Sequence, residues 1–193
     1  VQNTETGSLF EVQDAPTISR INPSYGSIAG NTLITVFGTH FYSSSSLTCR
    51  IGNVMNQGRY LNSNVVVCKT PGFIAGFVPI SISNNAVDFE VSSMFNYLAI
   101  PIIRKIFPSS GSTSGHTLVT LTGDFENGNW TWACRFGDLH AIAFQISVTA
   151  LTCIAPAKGE GLVSVEISNN RQDYTTSNLQ YLYQQLSFHH LYK

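Results

Sequence analysis

Four cysteines carry the most specific chemistry in this sequence. Cys49 and Cys68 are 19 residues apart, and so are Cys134 and Cys153. Identical spacing in two places reads as one disulfide within each of two equivalent segments. Closing a loop of this size is worth ~3 kcal/mol in the chain-entropy model. Two buried free thiols per segment are the alternative. Zinc fits less well, because no Cys-x-x-Cys pair or histidine partner shares the spacing. One glycosylation sequon is present, Asn129-Trp130-Thr131. Strand alternation through it puts Trp130, Trp132, Cys134 and Phe136 on one face and Asn129, Thr131, Ala133 and Arg135 on the other. The cysteine face should be the core, so Asn129 points outward, where an N-linked sugar attaches in a secreted eukaryotic protein. The two tryptophans could stack on sugar rings. Trp132 aligns with Leu47 of the first segment and reads as core, whereas Trp130 aligns with Ser45 and stays a candidate ligand contact.

No catalytic set emerges. Gly111-Ser112-Thr113-Ser114-Gly115 imitates a nucleophile elbow with threonine in the nucleophile position, and the matching Gly26–Gly30 loop makes it a repeated turn. His40, His116 and His140 are scattered and have no histidine at the equivalent positions. His189-His190 is an adjacent pair near the C-terminus, which is weak evidence for a metal. Asp88 and Asp173 correspond, but each follows an Asn-Asn pair, where turn chemistry accounts for an aspartate. The expectation is no enzyme activity, no cofactor and no metal.

Composition narrows the classes further. Only 11% of residues are charged, well below the ~25% usual in soluble domains, so the surface is polar through Ser, Thr and Asn more than ionic. The net charge of -1 comes without any basic run, and a nucleic-acid partner would need a concentrated Lys/Arg footprint. The longest apolar runs, such as Val65–Val67 and Leu98–Ile103, are too short to span a bilayer. A start at Val1 without an apolar leader reads as a mature or excised piece of a longer chain.

What positions the cysteines is a duplication. Shifted by 85 residues, Pro16, Ile18, Ile21, Pro23, Gly26 and Gly30 meet Pro101, Ile103, Ile106, Pro108, Gly111 and Gly115. The cysteines, Gly38 with Gly123, Pro71 with Pro156, and Ser83-Asn84-Asn85 with Ser168-Asn169-Asn170 hold the same register. Thr32–Val36, Val65–Cys68, Val78–Ile82 and Val163–Ile167 are short, β-branched and bounded by turn residues, hence strands. The asparagine pairs suit hairpins through left-handed angles. Several short strands in about 85 residues make a sandwich.

Each copy resembles an IPT/TIG domain. The pattern Pro-x-Ile-x-x-Ile-x-Pro-x-x-Gly stands at Pro16–Gly26 and Pro101–Gly111. A Gly-x-Thr-Leu-(Ile/Val)-Thr strand follows at Gly30–Thr35 and Gly115–Thr120, then Gly38 with Phe41 and Gly123 with Phe125. Cys68-Lys-Thr-Pro71 and Cys153-Ile-Ala-Pro156 come next, and an aromatic strand ends at Tyr97 or Tyr181. The resemblance implies an all-β chain of two tandem immunoglobulin-like β-sandwiches of the E-set type. Such modules stand in series in plexin-type surface receptors and adhesive proteins, dimerise Rel-type transcription factors, and accompany some starch-acting enzymes, so the fold alone leaves function open.

The expected organisation is a closing strand or linker of a preceding domain at 1–15, domains at 16–98 and 99–183, and a tail at 184–193. Phe10 precedes Pro16 by six residues as Phe95 precedes Pro101, which makes Ser8–Val12 look like the last strand of another copy. Leu98, Ala99 and Ile100 form a short apolar junction expected to bury between domains. The leading function is an extracellular or cell-surface structural or adhesive segment. Its partners would be proteins: neighbouring domains, further copies in self-assembly, or a surface receptor or ligand. A carbohydrate-binding module with a glycan partner comes second and Rel-type DNA binding third. Neither nucleic acid nor membrane insertion is expected of this segment.

Overall fold

The computed structural model describes residues 14–185. The chain is all β-strand there, and among the described residues there is no helix. In the first repeat, β1 (Thr17–Asn22), β3 (Leu33–Thr39), β7 (Val65–Lys69) and β6 (Arg59–Asn62) form one sheet. The other contains β2 (Tyr25–Ser27), β9 (Glu90–Leu98), β8 (Gly76–Ser83), β4 (Thr48–Ile51) and β5 (Val54–Gln57). The second repeat runs β10 (Ile102–Phe107), β11 (Ser110–Ser112), β12 (Leu118–Asp124), β13 (Ala133–Phe136), β14 (Leu139–Ser147), β15 (Ala150–Ile154), β16 (Gly161–Ser168) and β17 (Gln180–Gln184). Its strands join in one hydrogen-bonded series, β10-β12-β15-β14-β13-β16-β17-β11. The reason is β14, which pairs with β13 over its first half and with β15 over its second. In the first repeat the same path breaks at Gly58 into β5 and β6. The bonds there still correspond: Gly58 N–H donates to Leu47 O and Ala143 N–H to Trp132 O.

The offset of 85 extends to strand pairing. Thr17 pairs with Thr39 as Ile102 with Asp124, with a bulge at the same place in each copy. The closing strands depart from it. Gly26 lies opposite Tyr97, but Gly111 lies opposite Tyr183, so Tyr97 corresponds to Tyr183 and Phe95 to Tyr181. One extra residue before β17 moves the second copy's aromatics on by one. The asparagine pairs also act differently from expectation. Positive φ falls on Ala86 and Arg171, while the Oδ1 atoms of Asn85 and Asn170 each accept two backbone N–H groups and a serine hydroxyl. These are side-chain-organised turns more than tight hairpins.

Contacts gather the chain into two compact units that do not follow the repeat boundary. Of the described residues, the first takes those up to Asn22 with Thr35–Cys68 and Pro79–Met94; the second takes Pro23–Ile34, Lys69–Val78 and those from Phe95 onward. In the first unit, the Cys49–Cys68 disulfide sits among fully buried Val36, Phe41, Leu47, Ile51, Val66, Ile80 and Ile82. Arg50 lies over Phe89 and donates to Ser81. In the second, the Cys134–Cys153 disulfide is surrounded by Val119, Leu121, Trp132, Phe136, Leu151, Val165, Ile167, Tyr181 and Tyr183.

The buried phenols make the fold alkali-sensitive. Burial pushes Tyr97 up to about 12 against the opposing hydrogen bond of Thr70. Burial, with neighbouring Tyr181 adding to it, does the same to Tyr183. An unfolded tyrosine ionises at about 10. Between these values the folded state keeps protons that the unfolded state releases. The stability these groups contribute is therefore complete below pH ~10 and lost as pH rises from about 10 to about 12. An alkaline titration followed by phenolate absorbance and circular dichroism should show a late ionisation phase coinciding with unfolding. Ionisation of all eight tyrosines near pH 10 with the β signal intact would contradict it.

Candidate interaction surface

Within the second unit, the loop following β1 is fastened to the turns of the second repeat. The Asp173 carboxylate accepts from Ser27 N–H at 3.1 Å, from the Thr32 hydroxyl at 2.6 Å and from Asn170 Nδ2 at 2.7 Å. Gln172 brackets the backbone of Leu33, its Oε1 accepting from Leu33 N–H and its Nε2 donating to Leu33 O. Three bonds on one carboxylate, two of them part-buried links to a distant segment, exceed what a turn requires. Among the described residues, the corresponding Asp88 has a bond only from Asn85 Nδ2 in addition to its own turn. Sequence comparison treats the two aspartates as equivalent, and nothing in it distinguishes them.

Trp130 belongs to the same cluster. Its ring meets Tyr25 at 4.7 Å between centroids, and the Tyr25 hydroxyl lies 3.0 Å from Thr131 N–H, which donates to it. Trp130 is half-buried and packs on the core. An open aromatic platform for a sugar needs a free ring face, whereas this one has Tyr25 against it. Trp132 is buried, edge-on to Phe125, and donates Nε1–H to Gln145. Asn129 is exposed, as a glycan acceptor must be. Regular strand begins only at Ala133, where β13 starts, and the alternation read from the sequence holds there from Cys134 onward. Residues 129–132 are irregular, and Ala133 is buried instead of outward.

The junction differs from expectation as well. Leu98 is buried, but Ala99 and Ile100 are exposed, Ile100 at 47%. They border a surface cleft of about 430 Å³ with Ile102, Phe125, Trp132 and Val148. Its lining is largely apolar, and Asp124 and Glu126 are the ionisable groups among the described residues there.

The three described histidines stay apart, each with a local partner. His40 lies 3.7 Å from Asp14, His116 donates Nδ1–H to Ser114 O, and His140 is 2.8 Å from the Tyr174 hydroxyl. Around Tyr174, Arg135 stacks at 4.6 Å, and His140 and Arg171 line a shallow groove. Among the described residues, no three His, Cys, Asp or Glu side chains are grouped to hold a metal, and no helix is long and apolar enough to cross a membrane. Ser8–Val12 and His189-His190 lie outside the described residues.

Comparison with known proteins agrees with the geometry. Fibrocystin-L of Homo sapiens is 29% identical over 176 residues, covering 86% of this chain and 4% of its own length. Plexin-A2 of Mus musculus is 27% identical over 148 residues, covering 74% and 8%. The chain thus spans less than a tenth of either relative. The plexin A4 extracellular region, domains 1 to 10, shares the fold with a TM-score of 0.63 at 18% identity, over 93% of this chain and 16% of that one. The IPT/TIG domain model matches residues 16–98 and again 101–183. With both repeats matched, the chain belongs to the IPT/TIG domain family, in two tandem copies.

Proposed function

We propose that this segment is a non-enzymatic, protein-binding stretch of a larger cell-surface protein, built of immunoglobulin-like modules in series. The observation that carries it is the tandem of family modules, with no nucleophile, base and orienting group brought together among the described residues. The segment is extracellular. Each repeat holds one disulfide, a bond that persists in oxidising compartments, and the relatives are plexins and fibrocystin-L. The short connection Leu98-Ala99-Ile100, in place of a Gly/Ser tether, supports modules used in series. Asn129 is the proposed glycan site. A carbohydrate-binding role has less support, since Trp130 already has Tyr25 against its ring.

Cross-linking mass spectrometry on the native parent at the cell surface tests the reading. Cross-links from this segment to protein and an N-linked sugar at Asn129 are expected. Saturable binding of the purified segment to a glycan array, with no protein cross-links, would replace it with the carbohydrate module.

A further inference from the structure

The outer face of the β10-β12-β15-β14 sheet has a composition that a solvent-facing sheet does not need. Strand pairing sets its rows. Phe107 lies opposite Thr120, Thr120 opposite Thr152, and Thr152 opposite Phe144. The next row carries Leu118 opposite Ile154. Ile142 and Ile146 flank Phe144 on the same side of β14. All six large apolar side chains are exposed, from 52% at Ile154 to 78% at Phe107. Alternate residues Val119, Leu121, Leu151 and Cys153 fill the core, so the outward set is a second apolar face on strands already buried on one side.

The first repeat shows that the fold does not require this. At the six equivalent positions it carries Asn22, Leu33, Lys69, Gln57, Arg59 and Leu61, and its part-buried Phe37 is capped by the Arg20 guanidinium at 3.5 Å. Two cations and two amides in one copy are replaced by two phenylalanines and two isoleucines in the other. At roughly 150–200 Å² for a large apolar side chain, the six present on the order of 600–700 Å². That exceeds the largest patch of an ordinary monomer and approaches the ~800 Å² per partner of a stable interface.

We infer that this face packs against the same face of a second copy of the chain. The central row reads Phe-Thr-Thr-Phe across four strands and is therefore self-complementary. A two-fold axis parallel to the strands, between β12 and β15, sets Phe107 against Phe144 of the second copy and Leu118 against its Ile154. That is an isologous contact, in which each residue pair occurs twice. Face-to-face sheets pack at about 10 Å with interdigitating side chains. No charged residue lies in these two rows, so two copies approach without repulsion. This deepens the protein-binding reading by naming a surface and a partner, and it depends on that reading only in taking the segment to make protein contacts.

Sedimentation of the oxidised 193-residue chain up to about 0.5 mM tests it. A reversible dimer is expected. Exchanging Ile142→Gln, Phe144→Arg and Ile154→Lys grafts the residues the first repeat already tolerates at these positions. It should weaken self-association by about 30-fold or more, and Phe144→Arg alone should weaken it in the same direction. Phe77→Arg, at an exposed site in the first repeat, should leave the dimer unchanged. A wild-type chain that stays monomeric, or a folded graft that dimerises as well as wild type, overturns the inference. Either result leaves the protein-binding reading standing, because cross-links to other proteins at the cell surface are scored separately.

Discussion

Replacing both Cys134 and Cys153 with alanine is expected to destabilise the second repeat by about 3 kcal/mol or more and lower its melting temperature by roughly 15 °C. The bond connects β13 to β15, and its Cα atoms are 6.4 Å apart. Cutting it frees a 19-residue separation in the unfolded chain, which the chain-entropy model values at ~3 kcal/mol. It also removes two fully buried sulfur atoms from a core that includes Trp132 and Phe136. A sandwich of this size has little stability to spare. The Cys49–Cys68 bond spans the same separation, so its removal should cost a similar amount in the first repeat. Since all four sulfurs are buried, a reductant should act slowly on the native protein and quickly in denaturant. Denaturation of the double variant, compared with wild type, gives the measurement. A loss under ~1 kcal/mol would show that the cross-link constrains little.

How far the sequence revealed this depends on which residues carry the information. Repeat, strands and the glycine, proline and cysteine positions were legible because backbone geometry dictates those residue types. Gly30 and Gly115 take φ of 74°, and the neighbouring backbone bonds to the segment before the motif proline: Asn31 N–H to Thr70 O, His116 N–H to Ala155 O. Two motifs distant in sequence thus meet in space. Loop lengths were less legible. Phe41 stands three residues after Gly38 and Phe125 two after Gly123, yet their backbone amides bond to the equivalent carbonyls of Ser63 and Val148. The extra residue before β17 is equally silent, because an irregular segment absorbs it without changing any motif. Asp173 and Tyr25 were missed for a different reason. Their partners lie more than 100 residues away, and the chemistry of a turn aspartate or a surface tyrosine is satisfied locally just as well. The apolar outer sheet was hidden by the period-2 reading, which identifies a buried face but does not expect a second one.

Gly123→Ala should cost about 3 kcal/mol or more, although it adds a single methyl group. Glycine is needed here for close approach and not for a left-handed backbone. Gly123 faces Ile103 across the β10–β12 pair, next to the bulge between Ile103 and Lys105. A Cβ would stand 1.8 Å from the Ile102 carbonyl oxygen and 3.0 Å from Phe125 Cζ. The oxygen belongs to a backbone fixed in the ladder, so no rotamer change relieves the clash. Phe125 is buried over the same spot, and its N–H donates to Val148 O at 2.8 Å. Either the strands separate or the ring leaves the core, and each route breaks packing around Trp132. The first repeat repeats the arrangement: a Cβ at Gly38 would meet Thr17 O at 1.8 Å and Phe41 Cζ at 2.7 Å. Gly38→Ala should therefore unfold its own copy to a similar degree. Gly159 provides the contrast, since nothing lies within 4 Å of its Cβ position. Its replacement by alanine should change stability by no more than about 0.5 kcal/mol. Urea denaturation of the three variants beside wild type decides the matter. Equal small losses at Gly123 and Gly159 would refute the close-approach argument; a large loss at Gly123 with a neutral Gly159 is the expected result.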